Sequence, residues 1–292
     1  FFKDIRSATE TVIPLEKAGA QALELMDRAA LRSIEDEPGM PAEIKHLPET
    51  AAALLCEFQA LESNQLAIKV RAGLKALKKA KLVHPAQFTE VESTRQLYWK
   101  IRKGLLPSVG AVRKSGTTVI IEDVCFRLKD LANATLELQE LFKKHAYDDA
   151  IIFGHAKDGN LHFVISQTFG HARGKNQYQQ FIKDLVDMTV GKYDGALKAE
   201  HGTGRNMAPF LETEWGPLAV EIMQELKALI DPELLLNPGV IVNDDPDVYL
   251  KNIKPTPTIE AVVDKCIECG LCETWCPSQD LTMTPRRRIA TW

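Results

Sequence analysis

The sequence predicts an α+β protein, an antiparallel sheet covered by helices. Short β-branched runs alternate with amphipathic helical stretches through its central region. No Gly-rich dinucleotide fingerprint accompanies them. An Asp-Gly pair, Asp158-Gly159, joins two of the strands, which is the signature of a tight antiparallel hairpin.

The elements follow in order. From about Ser7 to Ile34, Val12, Leu15, Ala18, Ala22, Leu25 and Met26 recur at helical spacing, with Pro14 marking the helix start. Residues 37–47 read as a loop, and Glu49 to Gln59 as a second helix. Leu66 to Lys81 is amphipathic. Leu66, Val70, Leu74 and Leu77 form one face, and six lysines and arginines surround it. This is the solvated basic face of a packed helix, with peripheral contact to anionic lipid as the alternative. Thr117 to Ile121 is a strand by its β-branched content. Leu128 to His145 is helical, Ala150 to Phe153 and Leu161 to Thr168 are strands, and Asn176 to Lys198 and Glu212 to Ile230 are helices. After Asn237-Pro238-Gly239 the chain becomes rich in Asp and Pro. The organisation expected is a domain over 1–243, a linker over 244–262 and a cysteine-rich segment over 263–292.

The composition fits this layout. With 292 residues, 45% of them hydrophobic, the chain can bury a sizeable core. A net charge of −4 gives no support to nucleic-acid binding. No apolar run approaches the roughly 18–20 residues that span a bilayer, and no signal peptide opens the sequence. A cytoplasmic location follows, or a peripheral one on the inner membrane. The first residue is Phe1, and the chain stops soon after a cysteine motif, so it reads as a piece of a longer polypeptide. Cys56 and Cys125 stand alone and read as small buried apolar residues.

Two stretches carry chemistry. In the first, Phe153 to Phe163, a type I′ turn at Asp158-Gly159 pairs Lys157 with Asn160, Ala156 with Leu161 and His155 with His162. Opposed residues on one face have Cβ atoms about 4.5–5.5 Å apart, so these imidazoles can share a divalent metal with one or two further ligands. In the second, Ala199 to Arg205, Glu200 can complete a two-His-one-carboxylate set and His201 can serve as a base. Both stretches also have plain structural readings, as unrelated histidines and as a Gly-rich helix end.

The segments Gly154-His155-Ala156-Lys157-Asp158-Gly159-Asn160-Leu161-His162 and Glu200-His201-Gly202 together resemble the C-terminal domain of the FAD-linked oxidases. That family includes D-lactate dehydrogenase, the glycolate oxidase flavoprotein subunit and D-2-hydroxyglutarate dehydrogenase. Glu24-Leu25-Met26-Asp27 and Leu236-Asn237-Pro238-Gly239 extend the resemblance over most of the chain. It implies a ferredoxin-like substrate domain, with FAD bound mainly by an N-terminal domain whose Gly-rich loops are absent here. It further implies that His155, His162 and Glu200 hold a divalent metal, zinc or similar, and that His201 removes the hydroxyl proton of a small 2-hydroxy acid. Asn237 would approach the flavin. Arg102, in Trp99-Lys100-Ile101-Arg102, would bind the substrate carboxylate. One departure matters: Leu106 stands where the hydroxyglutarate enzyme carries a threonine, and Arg113 and Lys114 have no assigned place. This favours D-lactate, with glycolate or D-2-hydroxyglutarate as alternatives.

Cys266-x2-Cys269-x2-Cys272-x3-Cys276-Pro277 is the bacterial ferredoxin run for [4Fe–4S] ligation, a short helical segment. Cys266, Cys269 and Cys272 would ligate one cluster and Cys276 a second. No second run is present, so the chain alone is not expected to build a complete cluster, and without the FAD-binding domain it is expected to be catalytically inactive. In the longer protein, electrons would leave the flavin through the clusters to a quinone or a cytochrome. The rival from another class is a non-catalytic electron-transfer subunit. The paired histidines and Glu200-His201 argue against it, since a relay needs neither.

Overall fold

The computed structural model describes residues 1–37, 39–105, 113–253 and 258–291. Two short helices, α1 (Ile5–Glu10) and α2 (Val12–Lys17), lead into strand β1 (Ala22–Asp27) and helix α3 (Arg28–Arg32). Strand β2 (Ala52–Glu57) follows, then α4 (Ser63–Ala76), α5 (Glu92–Lys103), β3 (Thr118–Cys125) and α6 (Leu131–Lys144). The hairpin β4 (Ile151–His155) and β5 (Asn160–Gln167) precedes α7 (Ala172–Val186). Helices α8 (Gly204–Met207), α9 (Leu211–Trp215), α10 (Pro217–Ile230) and α11 (Pro285–Thr291) complete the described chain.

The five strands form one sheet in the order β2-β1-β4-β5-β3, with every neighbouring pair antiparallel. Successive side chains alternate between its faces. Leu23, Leu25, Ile152, Leu161, Phe163 and Val124 point into a first core, closed by α1, α2, α6 and α7. Met26, Ala53, Ile151, Phe153 and Val164 point into a second, smaller core, closed by α3 and by Ile101 of α5. The α+β antiparallel architecture expected from the sequence is the one observed.

Several element assignments need correction. The helix expected from Ser7 to Ile34 ends at Lys17, and Ala22–Asp27 is the strand β1. Because β1 lies inside the sheet with both faces covered, it carries apolar side chains on both sides, with Glu24 buried among them, and lacks the alternation that marks a half-exposed strand. A run with apolar residues on both faces fits helical spacing as readily as it fits a buried strand. The expected second helix, Glu49 to Gln59, is the strand β2. Its alanines and leucines favour a helix locally, and pairing along the whole of β1 overrides them. The helix expected over Asn176–Lys198 is regular only to Val186, continues as a π-turn to Lys192, and gives way to an extended bridge from Ala196 to Cys125. The helix over Glu212–Ile230 is broken at Gly216 (φ +78°) into α9 and α10. Cys56 and Cys125 are half-buried. Leu106 and residues 254–257 of the linker lie outside the described residues.

The hairpin is also wider than expected. Ala156–Asp158 forms a 3₁₀ turn, and Gly159 alone takes the left-handed conformation, at φ +73°. The register is Phe153↔His162, two residues off the expected His155↔His162. A two-residue slip preserves the face, where a one-residue slip would have reversed it. His155 therefore stays on the same side as His162, on a diagonal, with ring centroids 5.2 Å apart.

Gly159 is required twice over, by its φ and because a Cβ there would lie 1.9 Å from the Phe126 carbonyl oxygen. Gly159→Ala is expected to lower stability by roughly 2 kcal/mol or more, read as a shift in the urea unfolding midpoint.

Candidate metal and substrate site

The second face of the sheet carries the polar cluster. Register alignment runs Met26↔Phe153↔His162↔Asp123 across β1, β4, β5 and β3, and Glu24 sits opposite His155 one step along. Directly opposed side chains have Cβ atoms about 4.5–5.5 Å apart. Glu24, His155, His162 and Asp123 are thus brought together by strand pairing alone.

Glu200 and His201 arrive from the loop after the π-turn, and Asp123 holds that loop. One carboxylate oxygen of this fully buried residue, Oδ2, accepts the backbone N–H groups of Ala199 (3.1 Å), Glu200 (2.7 Å) and His201 (3.2 Å). Lys198, just before them, donates to Glu122. Three consecutive amides on one acceptor fix the loop as a unit and aim the Glu200 side chain back over the sheet.

The result is a convergence on one atom. Oε1 of Glu200 lies 3.2 Å from His155 Nε2 and 3.0 Å from His162 Nε2, and the three candidate ligand atoms lie within 4.8 Å of one another. Burial, with His201 and His155 nearby, pushes the His162 pKa down to about 4, so this imidazole is neutral at neutral pH and offers a lone pair. The His155 pKa is raised, chiefly by its hydrogen bond to Glu24 (Nδ1 to Oε1, 2.8 Å). A proton and a cation would compete for the other nitrogen, Nε2. The residues fit a divalent metal on two counts: the donor set is two imidazoles and a carboxylate, and the far nitrogen of His155 is already held by a carboxylate. Asp123, His162 and His201 form a second such group. Here Asp123 Oδ1 and His162 Nδ1 are buried with no hydrogen-bond partner among the described residues. The His201 ring stacks on His162 at 4.9 Å, with its Nδ1 3.5 Å from Asp123 Oδ1.

Arg102, on the last turn of α5, is 8% exposed, whereas its sequence context alone suggests a surface residue. Its Nε–H donates to Glu24 Oε2 at 2.9 Å, and the guanidinium lies 4.8 Å from the centroid of the Phe153 ring. With Trp99, Lys103, Ile121 and the three histidines, Arg102 lines a cavity of about 240 Å³. A larger cavity of about 730 Å³, also bordered by Trp99, is lined by none of His155, His162, Glu200 and His201.

Among the residues singled out from sequence, the structure therefore gathers His155, His162, Glu200, His201 and Arg102. Asn237 does not line the cavity; it sits exposed at φ +45°, before Pro238, whose carbonyl accepts from Arg205. The cysteines are also apart from the cavity: Cys269 and Cys272 are exposed, and Cys266 and Cys276 are half-buried. Arg113 donates to the carbonyls of Thr117 and Cys266. Sequence reasoning missed Glu24 and Asp123. Each had a signal, a carboxylate inside an apolar run (Ala22–Met26) and an acid pair (Glu122-Asp123) ending a β-branched one. Misreading β1 as a helix hid the first.

Comparison with known proteins gives the family of the chain. The family described as FAD linked oxidases, C-terminal domain, matches residues 1–241. Glycolate oxidase subunit GlcD of Bacillus subtilis is 27% identical over 253 residues, covering 84% of this chain and 50% of that protein. The mitochondrial D-lactate dehydrogenase (cytochrome) of Arabidopsis thaliana is 27% identical, over 82% of this chain and 41% of that protein. D-2-hydroxyglutarate dehydrogenase of Stutzerimonas stutzeri is 26% identical, over 77% and 47%. The chain spans about half the length of the curated relatives it matches. A crystal structure of p-cresol methylhydroxylase shares the fold, with a TM-score of 0.54 at 14% identity, over 83% of this chain and 52% of that one.

The anchoring role of Asp123 is open to test. Asp123→Ala is expected to cost about 2–4 kcal/mol, since three amides lose a charged acceptor. It should also speed amide hydrogen exchange at Glu200 and His201 while the β4–β5 hairpin stays protected.

Proposed function

The chain belongs to the FAD-linked oxidases, as their C-terminal domain, and from that premise we propose that it forms the substrate side of a flavin-dependent dehydrogenase for D-2-hydroxy acids, D-lactate first among them. The observation that carries this reading is the meeting of two imidazole nitrogens on one oxygen of Glu200, beside a small cavity lined by a buried arginine.

His155, His162 and Glu200 would hold the divalent metal. A bound metal would make a coordinated hydroxyl more acidic. FAD, carried by a part of the protein outside this chain, would accept the hydride from Cα. The chain's own residues do the rest. Arg102 pairs with the substrate carboxylate through its planar fork, its orientation fixed by Glu24 and by Phe153. His201, stacked on His162 and facing Asp123, takes the hydroxyl proton. Ile121 and Phe153 supply the apolar part of the cavity wall. Its volume of about 240 Å³ is below that of drug-sized pockets and suits an acid of a few carbons.

Beyond the substrate domain, we assign Cys266, Cys269 and Cys272 to one [4Fe–4S] cluster and Cys276 to a second. In support, Glu268 (φ +60°) and Gly270 (φ +79°) wrap the chain around the run, and the Glu268 amide approaches Cys266 Sγ at 3.4 Å. Ser278 holds the Cys276 thiol below its usual pKa. The electrons would pass to a quinone or a cytochrome, and the name of the Arabidopsis relative favours the cytochrome. Asn237 would sit against the flavin. No helix among the described residues is long and apolar enough to cross a membrane. The basic face of α4 offers a peripheral contact with anionic lipid, and we place the protein in the cytoplasm or on the inner face of the membrane.

A second reading of the substrate has one observation behind it. Lys103 lines the cavity beside Arg102 and can receive a distal carboxylate, as D-2-hydroxyglutarate would need. Arg113, engaged with two backbone carbonyls, is poorly placed for that task.

Two experiments test these readings. His162→Ala is expected to abolish stoichiometric binding of a divalent metal, measured by elemental analysis after dialysis; retention of metal refutes the site. In a D-2-hydroxy-acid panel on the flavin-loaded enzyme, D-lactate is expected to give the highest kcat/KM. Lys103→Met should then leave KM for D-lactate unchanged, whereas a tenfold or larger rise in KM for D-2-hydroxyglutarate alone would favour the dicarboxylate.

A further inference from the structure

Glu24 lies at the centre of β1, 5% exposed, opposite His155 in the strand register. Its two oxygens are used separately. Oε1 takes His155 Nδ1 at 2.8 Å, and Oε2 takes the Nε–H of Arg102 at 2.9 Å. A buried carboxylate is costly unless both oxygens are paired, and here each pairs with a different functional side chain. Those side chains come from elements far apart in the sequence, β4 and α5.

We infer that Glu24 is the positioning residue of the site, setting the metal ligand with one oxygen and the substrate-binding arginine with the other. The inference rests on the metal and carboxylate roles proposed above. Its chemistry is specific. An imidazole that donates Nδ1–H to a carboxylate is locked in the tautomer whose Nε2 lone pair faces the metal. A guanidinium gripped at Nε has its Nη edge turned away from the grip. Because one rigid strand residue makes both contacts, the two oxygens of a single carboxylate fix His155 Nδ1 and Arg102 Nε relative to each other. Glutamine cannot replace it, since it offers one acceptor oxygen and one donor N–H to two groups that both donate. Aspartate, shorter by one methylene, cannot span both.

The test uses the flavin-loaded enzyme and its near-isosteric variant Glu24→Gln. Affinity for Zn²⁺ is measured by competition with a chromophoric chelator, and KM for D-lactate at saturating metal. The expected result is metal binding weaker by about 10–100-fold, together with a KM raised about tenfold or more. Effects on metal and KM both within twofold overturn the inference, and so does a change in one with the other untouched. A second measurement, on the unaltered protein, does not depend on the variant folding. With ¹⁵N-labelled histidine and bound Zn²⁺, His155 should show a protonated Nδ1 and a metal-shifted Nε2; the opposite tautomer refutes the role. His162→Ala separates the layers. If metal stays bound without His162, the proposed site itself is wrong, whatever Glu24 does. If metal is lost there but Glu24→Gln changes nothing, only the positioning role fails.

Discussion

Strand register across the second face of the sheet is the constraint on which the site depends. Four polar side chains, Glu24, His155, His162 and Asp123, interrupt a surface otherwise packed by Met26, Ile151, Phe153 and Val164. Scattered singly, each would cost free energy as an unpaired buried group. Brought onto adjacent positions, Glu24 pairs with His155 and Arg102, both histidines meet Glu200, and one oxygen of Asp123 takes the amides of the Glu200 loop. The polar cluster and the register are therefore mutually enforcing. A one-residue slip in β4 or β5 would turn His155 or His162 into the first core and Ile152 or Phe163 onto the face of the polar cluster.

The elements around the sheet divide the work by stiffness. Ligands on strands are held by paired backbone. Glu200 and His201 sit on a loop, and its rigidity is borrowed from Asp123, which ties three amides to β3. Glycines allow the close approaches this needs. Gly154 lets the two strands of the hairpin meet beside His155, since a Cβ there would lie 2.4 Å from the Asn160 carbonyl oxygen. Arg102 extends the pattern to α5, where a helix end is drawn to the sheet by a charge pair and by the face of Phe153. Strand, loop and helix thus each contribute one kind of contact to a single small cavity.

Much of the candidate site was legible from residue types and spacing. The histidine hairpin and Glu200-His201 announced themselves because polar, Gly-flanked stretches stand out against apolar strands. The face shared by the two histidines survived an error in the turn, because the side-chain period of a strand is two and the error was two residues. Glu24 and Asp123 stayed hidden for one reason. A carboxylate inside a buried strand is recognised only once its strand neighbours are known, and neither Ala22–Asp27 nor Ala52–Glu57 carries a local mark of a strand. Their pairing with each other and with β4 decides it.

By itself the sequence determined the α+β class, the order of the central strands and helices, the cysteine run and the residue types able to bind a metal, because each of these is written in local pattern. Only the tertiary structure decided that β1 exists, that Arg102 is buried and not at the surface, and that one acid from β1 meets both an imidazole from β4 and a guanidinium from α5. Those facts depend on which strands lie side by side. That is a property of long-range pairing and burial, set by segments that are strangers in the chain.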